Sequence, residues 1–391
     1  MQRGLTGYFL PIPSPGEERR AFVPHPLPPE PALALDVPLQ QRLERATLAL
    51  GRLDGLTAVL PDPALFMYSY VRKEAVLSSQ IEGTQSSLSD LLRFENEATP
   101  GVPLNDVQEV SNYVVALNHG VMRLRDGMPL SLRLLKEIHA ILLGRGRGRE
   151  KEPGEFRHSQ NWIGGTRPGN ALFVPPPPQE LLNCLGAWEN FLHDKPGPTP
   201  LLIKAALAHV QFETIHPFLD GNGRVGRLLI ALLLHSGGAL REPLLYLSLY
   251  FKQHRGRYYE LLQQVRLTGD WEAWLDFFFS GVEQTANQAA ATAHDLLKLA
   301  SADEVRIQTL GRASGSALRV HGLMQKTPIT SIAAASAGLQ LTVPAVTSAL
   351  ERLQKLGIVA ELTGGRRNRL FAYSAFLDRL NAEESGSQSG T

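Results

Sequence analysis

"HPFLDGNGRVGRLL", residues 216–229, is the stretch on which the reading of this 391-residue chain turns. It sets a histidine, an aspartate, an asparagine and two arginines among glycines, directly before an apolar run. The spacing predicts one helix ending near Ile215 and a second beginning near Gly223, with Pro217 preventing a smooth passage between them. "DGNG" supplies positions that accept positive φ, so backbone N–H groups can converge on one point. The free N–H groups of the second helix face the same point. Arg224 and Arg227 lie three apart and share a face of its first turn. A helix N-terminus is already positive and disfavours each cation by roughly a few tenths of a kcal/mol. Two arginines there imply an anion. The pattern reads as a polyphosphate cradle, with Asp220 as a hard oxygen ligand for Mg²⁺ shared with the phosphates. His216 is its titratable base, kept neutral by the neighbouring cations and the helix dipole.

Composition narrows the class around this site. Lys plus Arg is 39 against 38 Asp plus Glu, so the overall balance recruits neither a polyanion nor a membrane surface. The single cysteine, Cys184, excludes an internal disulfide framework and, in "ELLNCLGAWENFL", reads as core packing. The start, "MQRGLTGYFLPIPSPGEERR", lacks the apolar core of a signal peptide. The most apolar run, "LLIALLL" (228–234), is too short to cross a bilayer and reads as a buried helix. The chain is expected to be soluble and cytoplasmic, without a membrane partner.

Residues 1–38 are rich in proline and read as an extended arm. Helical periodicity dominates from Leu39. Asp62 and Pro63 serve as N-cap and first residue of a helix that Gly83 ends. A Gly-, Pro- and Arg-rich interval, 144–178, reads as a functional loop with a hairpin around "NWIGG" and "ALFVP". From about 303, "ITSIAAASAG", a turn, "VPAVTSALERLQKLG" and "IVAELTGGRRNRLFAY" give helix, turn, helix and a hairpin tipped by Gly364-Gly365, the winged helix-turn-helix pattern. The expected segments are the arm (1–38), a helical region (39–105), a catalytic domain (106–302), the winged helix (303–380) and a disordered tail (381–391).

The pattern H-P-F-x-D-G-N-G-R-x-x-R resembles, at every position, the signature of the Fic family of protein adenylyltransferases, which move AMP from ATP to a protein hydroxyl. The resemblance covers roughly residues 40–300. It implies an all-α, Fic-type helical bundle with a small β-hairpin flap, followed here by the winged helix. By it, His216 deprotonates a Ser, Thr or Tyr hydroxyl of a target protein or of the chain itself, and Asp220 holds Mg²⁺, or Mn²⁺ in its place. Asn222, with the backbone at Gly221 and Gly223, stabilises charge on the α-phosphate; Arg224 and Arg227 hold the phosphates that leave as pyrophosphate. Phe218 anchors the loop. "GEFRHSQNWIGG" looks like the family's flap, which places Ile163, Gly164, Gly165 and Thr166 close to ATP. Tyr258 and Tyr259 resemble a segment near the adenine.

Ser78 and Glu82 in "SSQIEG" are four apart on one helix face, and Gly83 leaves Glu82 at the negative end of the dipole, where it needs a cation. S-x-x-x-E-G matches the inhibitory helix of relatives whose inhibitor precedes the catalytic domain. There the glutamate pairs with the second arginine of the motif and obstructs the γ-phosphate. The winged segment carries ten Lys/Arg against seven Asp/Glu from residue 302 onward, so protein docking or homodimerisation is favoured over DNA. A DNA-binding regulator with a nucleotide-sensing Fic domain, another nucleotide donor, and removal of AMP are the alternatives.

Overall fold

The computed structural model describes residues 2–12, 19–59, 64–96, 101–364 and 368–385. A hairpin of β1 (Gly7–Ile12) and β2 (Arg19–Pro24) precedes the helices α1 (Val37–Val59), α2 (Ala64–Ile81), α3 (Leu88–Glu95), α4 (Leu104–Arg125) and α5 (Leu132–Leu142). After the long loop come α6 (Pro178–Leu192), α7 (Leu201–Ile215), α8 (Asn222–Ser236), α9 (Ser248–Gln253), α10 (Arg255–Thr268) and α11 (Trp271–Gln308). The C-terminal elements are α12 (Ser314–Lys326), β3 (Ile329–Ser331), α13 (Ile332–Leu339), α14 (Val343–Lys355), β4 (Ala360–Glu361), β5 (Leu370–Ala372) and α15 (Ser374–Ser385).

The core forms around α7 and α8. All of α7 from Leu202 to Ile215 is buried, including Lys204, His209, Gln211 and Glu213, as expected of a helix enclosed on every side. Its apolar residues pack on α8 and α6, and α4 and α5 close the other side of α8. Trp188 and Trp274 are fully buried and donate their indole N–H groups to the carbonyls of Ala208 and Ala206 on α7, both at 3.0 Å, so bulk is buried with its polar atom satisfied. Cys184 is buried, and burial pushes its thiol up to about 11.

The amino-terminal region departs from the expected arm. β1 and β2 pair antiparallel from Gly7↔Pro24 to Ile12↔Arg19, and Ala21, Phe22 and Val23 are buried. Arg3 forks onto Glu272 at the start of α11 at 2.6 and 2.8 Å. Apolar residues interrupted by prolines carry no period long enough to read as strand, yet a short hairpin needs only one docked face. At the other end, α13 and α14 meet at 115° and β3, β5 and β4 form a three-stranded sheet. "ITS", expected as helix, is β3, and Ser331 then caps α13 through Ala334 N–H. α15 runs to Ser385, past the expected start of the tail. Asp62, Pro63, Gly365, Arg366, Arg367 and residues 386–391 lie outside the described residues.

Helix α2 joins these parts. Lys73 on α2 is buried and donates to the Leu380 carbonyl of α15 at 2.6 Å, and the Tyr70 hydroxyl donates to the Ala289 carbonyl of α11 at 2.9 Å. The carboxyl-terminal end of α2 points at the amino-terminal end of α8.

Candidate functional site

α7 ends at His216, whose backbone is left-handed (φ 50°, ψ 62°), a conformation unusual for a residue with a Cβ. Pro217 follows and has no N–H to continue the helix. Arg157 clamps this bend. Its Nε donates to the His216 carbonyl at 2.9 Å and its Nη2 to those of Pro176 (2.6 Å) and Ile215 (3.3 Å), while its backbone N–H reaches the Pro217 carbonyl at 2.9 Å. Burial, with Arg157 and Arg266 nearby, pulls the His216 imidazole down to about 3, so it is neutral at pH 7. The imidazole is 17 % exposed, which leaves it reachable from one side.

From Pro217 to Gly221 the loop is fixed by short contacts. Phe218 is fully buried and stacks on His139 at 3.7 Å with planes 9° apart. His139 Nδ1 accepts from Gly154 N–H at 2.8 Å, so its Nε2 carries the proton that meets the Asp220 carbonyl at 3.1 Å. Burial pulls this imidazole down to about 4. Gly221 takes φ 75° and opens α8. The Asn222 amide accepts from Phe218 N–H and donates to the Phe218 carbonyl, both at 2.8 Å. Asn222 therefore staples the loop.

Both motif arginines are buried and held by carboxylates. Arg224 Nη1 donates to Glu109 Oε2 at 3.1 Å, and its Nη2 lies 3.5 Å from Asp220 Oδ1. Arg227 is 2 % exposed; its Nε donates to Ser78 Oγ at 2.9 Å, and its Nη2 to the Ser78 carbonyl at 3.0 Å and Glu82 Oε1 at 2.6 Å. Glu82 hangs from the turn after α2, where Gly83 takes φ 100°. Its carboxylate rests on the first turn of α8, so close that a Cβ at Gly223 would strike Oε1. The anion demanded by two cations at a helix N-terminus is thus a side chain of the same protein. Arg227 holds Glu82 below the usual carboxylate range, and the neighbouring carboxylates raise Arg227.

Asp220 is 44 % exposed, with Oδ1 accepting from Gly221 N–H at 2.5 Å and Oδ2 facing Gly148. Among the described residues no cluster of three or more His, Cys, Asp or Glu could hold a metal. One accessible carboxylate beside a phosphate-type site fits an octahedral Mg²⁺ that takes its other ligands from phosphates and water, and does not fit a protein-only cage.

The flap residues lie beside this loop. Ile163 and Phe173 form a single antiparallel bridge, and the Asn161 amide donates to the Phe218 carbonyl at 3.1 Å. Gly164, Gly165 and Thr166 are exposed, and Asn170 Oδ1 accepts from Thr166 and Arg167 N–H at 3.0 Å. Phe22 N–H reaches the Val174 carbonyl at 2.9 Å, so the amino-terminal hairpin extends the flap on its far side. Tyr258 is a correction. It is 1 % exposed, its hydroxyl meets His209 Nε2 at 2.8 Å, and it stacks in the core on Phe251. Tyr259 is 40 % exposed with Arg255 over its ring at 5.2 Å. Arg157, His139, Glu109 and Glu213 were not singled out from the sequence. "GEFR" contained the first, but nothing in the pattern marks a buried charge whose partners are main-chain carbonyls.

Residues 40–122 match the sequence model described as Fic/DOC family N-terminal, and residues 129–234 match that of the Fic/DOC family. A protein adenylyltransferase Fic of Aedes aegypti is 37 % identical over 157 residues, 40 % of this chain and 28 % of that protein. The one of Culex quinquefasciatus is 30 % identical over 260 residues, 64 % of this chain and 47 % of that protein. The chain thus spans less than half the length of these curated relatives. Among solved structures, a Fic family protein from Desulfovibrio desulfuricans G20 superposes with a TM-score of 0.57 at 16 % identity, over 88 % of this chain and 98 % of that one. Fic-1 from C. elegans does so with 0.54 at 22 %, over 66 % and 74 %.

Proposed function

We propose that this chain, which belongs to the Fic/DOC family, is a protein adenylyltransferase held in an inhibited state by its own Glu82. The curated relatives bear the name protein adenylyltransferase, and the residues here fit that chemistry. Nε2 of neutral His216 takes the proton of a Ser, Thr or Tyr hydroxyl on a target protein. The hydroxyl oxygen attacks the α-phosphorus of ATP, the bond to the bridging oxygen breaks, and pyrophosphate leaves. Backbone N–H groups at Gly221 and Gly223, held in place by the Asn222 staple, face the charge that grows on the α-phosphate. Asp220 would hold Mg²⁺, which supplies charge neutralisation on the phosphates. Arg224 and Arg227 take the β- and γ-phosphates once Glu82 gives up its place.

The observation that carries this reading is the Glu82 carboxylate seated against Arg227 over Gly223. A phosphate and a carboxylate want the same donors there, so the seat marks an anion site and an occupant that competes for it. The test uses two labels on ATP with Mg²⁺. Label at the α-phosphate should become covalently attached to the protein or to a lysate target, and label at the γ-phosphate should not. Covalent γ-label would indicate phosphorylation, and no label in either case, with Glu82 replaced, would overturn the reading. GTP, CTP and UTP offered in place of ATP define the donor.

A further inference from the structure

Two buried polar atoms beside the proposed base have no hydrogen-bond partner among the described residues: Nδ1 of His216 and Oε1 of Glu213. Glu213 sits one turn before His216 at the end of α7, is 6 % exposed, and its Oε2 lies 4.0 Å from that Nδ1. Its carboxyl lies against α8, where a Cβ at Gly226 would collide with Oε1, so packing holds it in place. Unmet polar atoms in an interior are rare and each needs a reason.

The chemistry supplies one. A neutral imidazole carries a single proton, and His216 can act as a base at Nε2 only if that proton sits on Nδ1. Some acceptor must then favour the Nδ1–H tautomer. Glu213 presents two candidates to the ring, its carboxylate and its main-chain carbonyl; the carbonyl accepts from Arg266 Nη2 at 3.3 Å and makes no hydrogen bond to Nδ1. We propose that the Glu213 carboxylate orients His216, drawing its proton to Nδ1 and leaving the Nε2 lone pair for the target hydroxyl. Glu213 is a positioning residue. It acts through the imidazole and touches no substrate. The inference rests on the assignment of His216 as the base.

The test uses full-length protein carrying Glu82→Gly and ¹⁵N-labelled histidine, with the His216 signals identified by their loss in His216→Gln. Burial raises the Glu213 carboxyl to about 7, so the spectrum is recorded at about pH 8.5, where that group is ionised, and should show Nδ1 protonated and Nε2 bare. Adding Glu213→Leu should move the proton to Nε2 and lower kcat for AMP transfer by about tenfold or more, with KM for ATP held within about twofold. Glu213→Gln, which keeps an acceptor oxygen, should retain the Nδ1–H tautomer and part of the rate. If the leucine variant does not fold, Glu213→Asp, which withdraws the carboxylate by one methylene, should show the same proton shift. An Nδ1–H tautomer that survives Glu213→Leu assigns the role to the main-chain carbonyl and overturns the proposal, as does an Nε2–H tautomer in the Glu82→Gly protein. The spectrum needs no turnover. A protein that transfers no AMP would defeat the adenylyltransferase reading, and the tautomer would still decide the role of Glu213.

Discussion

Nη2 of Arg227 donates to Oε1 of Glu82 across 2.6 Å, joining residues 145 apart in sequence. The guanidinium is almost fully buried, whereas the carboxylate is 38 % exposed. Arg227 is also faced by Glu213, and its charge is felt by buried Glu74. Loss of Glu82 therefore does not strand a lone buried cation, the circumstance that makes broken buried pairs so costly. The pair is built to be separable.

Replacing His216 by alanine removes the proposed base and none of the donors proposed to face the phosphates. Transfer should fall by about a hundredfold or more, while ATP binding followed by calorimetry stays within about threefold. Parallel loss of binding and rate would show that His216 shapes the cradle instead of reacting.

Arg157→Ala should be far more damaging to the fold than its place in a loop suggests. It removes donors to the His216, Ile215 and Pro176 carbonyls, all in a closed interior. Each stranded carbonyl costs about 1–3 kcal/mol, so a loss of about 3 kcal/mol or more is expected in urea denaturation. A loss under about 1 kcal/mol would mean that solvent reaches the bend.

Tyr258→Phe separates the two readings of that tyrosine. The hydroxyl bonds to buried His209, whose Nδ1 meets the Gly226 carbonyl at 2.9 Å. Stability should drop by about 1 kcal/mol with KM for ATP unchanged. A raised KM with unchanged stability would return Tyr258 to the nucleotide.

Stability should be nearly flat from pH 7 to 5 and fall steeply below about 4.5. His209 and His216 are held down to about 3 and His139 to about 4, so on acidification the unfolded chain binds three protons that the native protein refuses. Glu74 and Glu213, raised by burial to about 7, do the reverse: the native protein takes up two protons above the ordinary carboxylate range. The two effects largely offset until the carboxyls of the unfolded chain protonate as well. Below that point the histidines act together with Glu82 and Glu272, which the native protein holds below the usual carboxylate range, at about 1.4 kcal/mol per proton and pH unit. Urea midpoints between pH 7.5 and 3.5 check this, and a steep loss beginning near pH 6.5 would contradict the raised glutamates.

Much of the site was legible because it is local. His216, Asp220, Asn222, Arg224 and Arg227 lie within one bend and one helical turn, where spacing alone fixes which residues share a face. Glu82 was legible for a similar reason, since a carboxylate at a negative helix end asks for a cation. What stayed hidden depends on partners distant in sequence. Nothing in "VQEVSN" marks Glu109 as the partner of Arg224, and only the packing of α7 against α8 and α10 turns Tyr258 inward. The hairpin at β1 and β2 escaped because its prolines mask a docked apolar face.

The central claim is tested most directly by initial rates of AMP transfer for wild type and Glu82→Gly over a range of ATP concentrations. Glu82 is partly exposed, so its charge-assisted bond belongs at the low end of such contacts, about 1.5 kcal/mol. Its removal should raise the rate about tenfold or more, and adding Arg227→Ala should erase most of that gain, since the phosphate then loses its partner. Equal rates for wild type and Glu82→Gly at every ATP concentration would contradict the account and leave Glu82 as a surface carboxylate beside Arg227.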